Sequence, residues 1–98
     1  MSSIKRTDEF NAWLHGLKDG MTHRRLLVRL RKAALGNLGD VKPVGDGVFE
    51  MLEHFGPGWR MYYVQRGVTL IVMLGGGDKS KQAADIARAV KLAATIEE

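Results

Sequence analysis

The stretch Val48-Phe49-Glu50-Met51-Leu52-Glu53-His54-Phe55, Gly56-Pro57-Gly58, Trp59-Arg60-Met61-Tyr62-Tyr63-Val64-Gln65, Arg66-Gly67, Val68-Thr69-Leu70-Ile71-Val72-Met73-Leu74 decides the fold. Three runs rich in β-branched and aromatic residues are separated by two short glycine turns, the pattern of an antiparallel meander. Successive strand side chains point to opposite faces. Trp59, Met61 and Tyr63 therefore share one face, and Arg60, Tyr62 and Val64 the other. On the preceding strand Glu50, Leu52 and His54 fall together.

Outward from this meander the period changes from two to 3.6. Upstream, Phe10, Trp13, Leu14 and Leu17 form one apolar stripe behind Thr7, a helix N-cap, with Asp8 and Glu9 where the helix dipole favours anions. Asp19-Gly20 stops that helix. Thr22 is placed to cap a second one, with Leu26, Leu27, Leu30, Ala33 and Ala34 inward and Arg24, Arg25, Arg31 and Lys32 outward. Gly36 ends it, and the pair makes a helical hairpin. Ile4-Lys5-Arg6-Thr7 reads as a short opening strand, and the glycine-rich segment 36–47 with Pro43 as a loop. Downstream, Gly75-Gly76-Gly77 breaks the last strand. Asp78 or Ser80 then caps a helix carrying Ala83, Ile86, Ala87, Val90 and Ala94 on one face. Helices on one face of an antiparallel sheet give an α+β fold.

The 98 residues suit one domain spanning 1–98. Cysteine is absent, which excludes disulfides and thiolate metal sites. No apolar run approaches a membrane span, and the N-terminus lacks a signal-peptide core, so the cytoplasm is the expected compartment. Fifteen Lys+Arg against eleven Asp+Glu give +4. The excess lies in the first half: between His23 and Lys32 stand Arg24, Arg25, Arg29, Arg31 and Lys32 with no acid. Such a stripe suits a phosphate backbone, an acidic partner, or simply a solvated helix face.

His15, His23 and His54 lack metal-ligand spacing, and no Ser–His–Asp arrangement follows from the sequence. Gly75-Gly76-Gly77 could cradle an anion with bare amides, but it fits neither nucleotide fingerprint, and a turn that needs glycine dihedrals explains it better. The more informative group is Arg60, Tyr62, Lys79 and Lys81 with Lys42 and Glu50. On an open sheet face Arg60 offers a fork to phosphate, and Tyr62 a ring to stack a base. The competing reading makes Arg60 and Glu50 a cross-strand pair beside a half-buried tyrosine.

These residues carry a resemblance. Gly47-Val48-Phe49-Glu50-Met51-Leu52 leading into Phe55-Gly56-Pro57-Gly58-Trp59-Arg60-Met61-Tyr62-Tyr63 resembles the RelE/ParE superfamily of type II toxins, and most closely its HigB-like, phage-type addiction module killer branch. Thr7-Asp8-Glu9-Phe10 through Asp19, Gly39-Asp40-Val41-Lys42-Pro43-Val44, and Leu74-Gly75-Gly76-Gly77-Asp78-Lys79 through Asp85-Ile86 agree in order and spacing.

The resemblance implies a RelE-like β-α-α-β-β-β core with a C-terminal helix, an antiparallel sheet packed against the helical hairpin. It implies a ribosome-dependent endoribonuclease that cuts mRNA and inhibits translation, needing no cofactor. A helix-turn-helix antitoxin encoded alongside would neutralise it, and operator DNA would be reached only through that antitoxin. Carried onto this chain, Arg60 contacts the scissile phosphate, Lys79 is the basic residue after the last strand with Lys81 a substitute, and Tyr62, Glu50 and Lys42 complete the catalytic set. Arg24, Arg25, Arg29, Arg31 and Lys32 would bind RNA. One position departs from the branch, Leu52 in place of the arginine of its Glu-Leu-Arg motif, and one from RelE itself, which has tyrosine where this chain, as is common in the branch, has Asp85. The alternatives are a ParE-like inhibitor of DNA gyrase, and a catalytically degenerate toxin that binds antitoxin as a co-repressor.

Overall fold

The computed structural model describes residues 2–96. Five strands, β1 (Ser3–Arg6), β2 (Val41–Gly45), β3 (Val48–Leu52), β4 (Trp59–Arg66) and β5 (Leu70–Asp78), form one sheet in the order β1-β5-β4-β3-β2. Three helices, α1 (Asp8–His15), α2 (Gly20–Ala34) and α3 (Gln82–Ala93), complete an α+β fold. Among the described residues no helix is long and apolar enough to cross a membrane.

The meander stands as its sequence indicates, with β3, β4 and β5 paired antiparallel. Two expectations about the sheet need correction. The sheet is mixed, because β1 runs parallel to β5 in the register Ser3↔Leu70 to Arg6↔Met73. The glycine-rich segment 36–47 is not all loop: it contributes the edge strand β2, paired antiparallel with β3 through Lys42↔Glu50. Pro43 is tolerated there because an edge strand has a side that needs no donor.

The helices do not share one face. The α1–α2 hairpin packs Phe10, Leu14, Leu26, Leu30 and Ala33 on Met51, Met61, Tyr63, Ile71 and Met73. On the opposite face α3 covers Val48, Tyr62, Val64, Val72 and Leu74 with Ala89 and Ala93. The alternation read for β4 is therefore observed, but the face carrying Arg60, Tyr62 and Val64 is roofed by a helix. The buried side of α3 is Asp85, Ala89 and Ala93, while Ala83, Ala87 and Ala94 are exposed.

The local signals hold at Thr7, whose side chain accepts from the Phe10 amide at 3.1 Å. At α2 the cap is Asp19, three residues before the expected Thr22. Asp19 accepts from the Met21 amide and from the Thr22 hydroxyl. At the C-terminal helix, Asp78 caps a single 3₁₀ turn (Lys79–Lys81), and α3 begins after it with no side-chain cap.

Gly75-Gly76-Gly77 is not a turn. All three glycines lie within β5, and none has a positive φ. The register passes from Tyr63↔Met73 to Tyr62↔Gly75, leaving Leu74 as the extra residue of a β-bulge. The bulge sets Gly76 on the hairpin face opposite Met61 and Gly77 on the α3 face opposite Arg60. These glycines provide room rather than unusual dihedrals, because the Trp13 ring and the Asp85 carboxylate occupy the space where their Cβ atoms would stand.

Candidate functional site

The residues singled out in the sequence converge at one end of the sheet, on the face that α3 covers. Glu50 and Tyr62 are direct cross-strand neighbours and both fully buried. Glu50 is heavily partnered. Gln82 donates to both carboxylate oxygens at 3.1 and 3.0 Å, and Lys42 Nζ approaches Oε1 to 3.4 Å. Arg60 lies diagonally across, its Nε 4.0 Å from Glu50 Oε1, too long for a hydrogen bond. Its direct partner on β3 is Leu52, so the pairing of Arg60 with Glu50 is a loose diagonal contact.

Three buried polar atoms in this layer lack hydrogen-bond partners: Arg60 Nε, Tyr62 Oη and Asp85 Oδ2. An unpaired buried polar group costs about 1–3 kcal/mol, and functional centres are where such groups concentrate. Burial pushes the Tyr62 phenol well above its usual pKa, the Glu50 and Asp85 carboxylates push it further, and Arg60 opposes them. Tyr62 is therefore a neutral donor at neutral pH. It cannot stack a base, because no part of it reaches solvent. The open face expected for Arg60 and Tyr62 is thereby corrected: Arg60 is 7% exposed and Tyr62 0%.

The approach to Arg60 lies beside the Gly56–Gly58 turn. Gly58, with φ +81°, is flanked by Arg60 Nη1 and the Lys79 side chain, so Lys79 is brought beside the Arg60 guanidinium. Lys79 and Lys81 are exposed on the 3₁₀ turn. Arg60 Nη1 also donates to its neighbour's carbonyl, Trp59 O, at 3.2 Å.

The basic stripe divides. Arg24, Arg25, Arg31 and Lys32 are exposed on α2. Arg24, Arg25 and Lys32, with Met21 and Val28, line a groove of about 470 Å³. Arg25 lies over the Phe55 ring at 3.7 Å. Arg29 does not belong with them. It is buried, donating to the Leu38, Asp40 and Leu52 carbonyls and to Glu53 at 2.6 Å. This guanidinium ties α2 to the 38–40 segment and the end of β3, so although Arg29 forms part of the groove wall its donors are taken up within the fold.

Sequence reasoning passed over a second cleft at the same end of the molecule. Trp13, Trp59, Gly76, Gly77, Asp78, Lys81, Asp85 and Arg88 line about 370 Å³. The signal was available in a tryptophan on each of two elements and in glycines within a strand, which mark close approach. Among the described residues no three His, Cys, Asp or Glu side chains gather as a metal site.

An uncharacterized protein of Haemophilus influenzae (strain ATCC 51907 / DSM 11121 / KW20 / Rd) is 40% identical over 90 residues, covering 92% of this chain and 91% of that one. No family model matches the chain, and no solved structure matches it significantly.

Proposed function

This chain belongs to one family with the Haemophilus influenzae protein, and we propose that it is the toxin of a type II toxin–antitoxin pair, a ribosome-dependent mRNA endoribonuclease of RelE/HigB-like type. The observation that carries the reading is the convergence of Arg60, Tyr62 and Lys79, supported by Glu50, Lys42 and Gln82, at one end of the sheet. The exposed cations of α2 provide a separate surface for RNA phosphates.

In the proposed reaction the ribose 2′-oxygen bonds to phosphorus and the 5′-oxygen leaves, giving a cyclic phosphate and a free 5′-hydroxyl. Negative charge grows on the phosphoryl oxygens, where the Arg60 guanidinium gives fixed charge and directed donors. The 2′-hydroxyl gives its proton to solvent water as its oxygen bonds to phosphorus, and Lys79, exposed beside Arg60, supplies a proton to the 5′-oxygen as its bond to phosphorus breaks. Tyr62, buried and held neutral, shares the layer with Arg60 without meeting the substrate, and Glu50 positions Lys42 and Gln82. The antitoxin neutralises the protein in the cytoplasm and carries it to operator DNA.

One observation favours a second reading. Arg60 and Tyr62 are almost wholly covered, and Leu52 stands beside Arg60 where the branch has arginine. A chain so disposed suits a degenerate toxin that acts as co-repressor. Expression of the chain alone, followed by primer extension on translated messages, separates the two. Cleaved mRNA that depends on ribosomes supports the nuclease. Intact mRNA with broken chromosomal DNA would point to gyrase, and intact mRNA and DNA to the co-repressor.

A further inference from the structure

The burial of Tyr62 leaves the stacking of a base to another part of the site. Trp13, from α1, and Trp59, at the start of β4, are both partly exposed. Their ring centroids stand 6.3 Å apart at 58°, an open angle rather than a sandwich. The two rings touch each other, so a planar ligand stacks on the exposed part of this aromatic wall rather than between them. Gly76 and Gly77 also line the cleft, with the Trp13 ring and the Asp85 carboxylate packed into the space their side chains would take. This stretch is also a free sheet edge, since β1 pairs with β5 only as far as Met73.

The charges of the cleft are segregated by their partners. The Asp78 carboxylate accepts from Ser80 within its own turn. Asp85, 7% exposed, accepts from Arg88 Nη1 at 2.9 Å through Oδ1, while Oδ2 stays buried and unpartnered. A carboxylate there repels a phosphate from the floor. At the rim stand Lys81 and Arg88, the latter with 72% of its side chain exposed. An aromatic wall and an acid floor below a cationic rim match a nucleotide lying with its base inside and its phosphate outside. The volume, about 370 Å³, lies within the range of small-ligand clefts.

We propose that this cleft holds one unpaired base of single-stranded RNA, stacked on the Trp13–Trp59 wall, with its phosphate on Lys81 and Arg88. The proposal rests on the RNA reading above, and it assigns Trp13, Trp59 and Arg88 to substrate binding. Stacking on an indole grows with ring area, so purines bind more tightly than pyrimidines.

The chain contains two tryptophans, and both line this cleft, so intrinsic tryptophan fluorescence reports on it alone. The probes are 2′-O-methyl hexanucleotides of adenine and of uracil, which cannot be cut by 2′-oxygen attack. Saturable quenching is expected, tighter for adenine, and absent for the same sequence in a duplex. Arg88→Gln should weaken binding severalfold and reduce its salt dependence by about one phosphate contact. Trp59→Leu should weaken it about tenfold or more while Trp13 still reports. Absence of quenching, equal quenching by duplex, tighter binding of the matching deoxyhexanucleotide, or an Arg88→Gln protein that binds like the parent overturns the proposal. The two readings fail separately. Quenching by uncuttable RNA with intact cellular mRNA would retain the cleft and end the nuclease. Cut mRNA with no quenching would do the reverse.

Discussion

Trp13 lies against the backbone of Gly76, so that a Cβ at residue 76 would meet three atoms of the indole at 2.5 to 2.7 Å. A flexible side chain could yield to such a contact, but this ring is also packed on Phe10, at 5.7 Å between centroids. The β-bulge at Leu74 decides the relationship, because it places Gly76 on the hairpin face. Gly76→Ala should therefore destabilise the fold by about 1–3 kcal/mol, the usual cost of overpacking. Thermal melting checks it, and tryptophan fluorescence should change in the same variant.

Arg29 and its neighbours on α2 should behave oppositely. Arg29→Ala removes one partner of a buried pair and takes a donor from three backbone carbonyls. A loss of about 3–5 kcal/mol in denaturant unfolding is expected. Replacing exposed Arg24 and Arg25 together should cost about 1 kcal/mol or less, mostly from the Arg25–Phe55 contact. The same pair should raise the ribosome concentration needed for half-maximal cleavage while leaving the maximal rate unchanged.

Asp19 gives the fold an acid-sensitive contact. Hydrogen bonds from Thr22 and from the Met21 amide hold its carboxyl below the ordinary value, and Arg24 adds to them. A depressed carboxyl stabilises the folded chain above the pKa it has when unfolded, and that contribution disappears as pH falls through the folded value. Asp19→Ala should therefore flatten the acid limb of a plot of melting temperature against pH. An unchanged acid limb would show that Asp19 contributes no such linkage.

Tyr62 separates structure from chemistry. Its hydroxyl has no partner, so Tyr62→Phe removes a buried polar group without leaving another unpaired, and the melting temperature should stay level or rise. The raised phenol has the opposite linkage to Asp19: stability is full below about pH 10 and falls above it, where only the unfolded chain ionises. The phenylalanine variant should lose less stability on the alkaline side and should cut mRNA at the parent's rate, since the hydroxyl does not reach the substrate.

What the sequence disclosed was what local rules control. The alternation in Trp59–Val64 separates two faces because each residue is bulky and the period is strict. Thr7 caps because its partner amide is three residues away. The strand β2 was hidden because Val41–Gly45 has little β character of its own, and its register is set by pairing with β3. The parallel β1 is set by the crossover through the hairpin. For α3 the many alanines blur the period, and the buried side is chosen by Asp85 finding the space above Gly77. Arg29 reads as one more cation of a stripe, and only the approach of the 38–40 segment turns it inward. The candidate site was legible as a set of residues, since Glu50, Arg60 and Tyr62 lie on paired strands. Its roof was not, because the packing of α3 is a tertiary choice.

The account stands most directly on Arg60. Purified parent and Arg60→Ala proteins should be compared for cleavage of ribosome-bound mRNA by primer extension, with melting temperatures measured on the same samples. The parent should cut, and Arg60→Ala should remain folded and cut about 100- to 1,000-fold more slowly, with Arg60→Lys recovering part of the rate. A folded Arg60→Ala protein that cuts at the parent's rate, or a parent that leaves ribosome-bound mRNA intact, would contradict it.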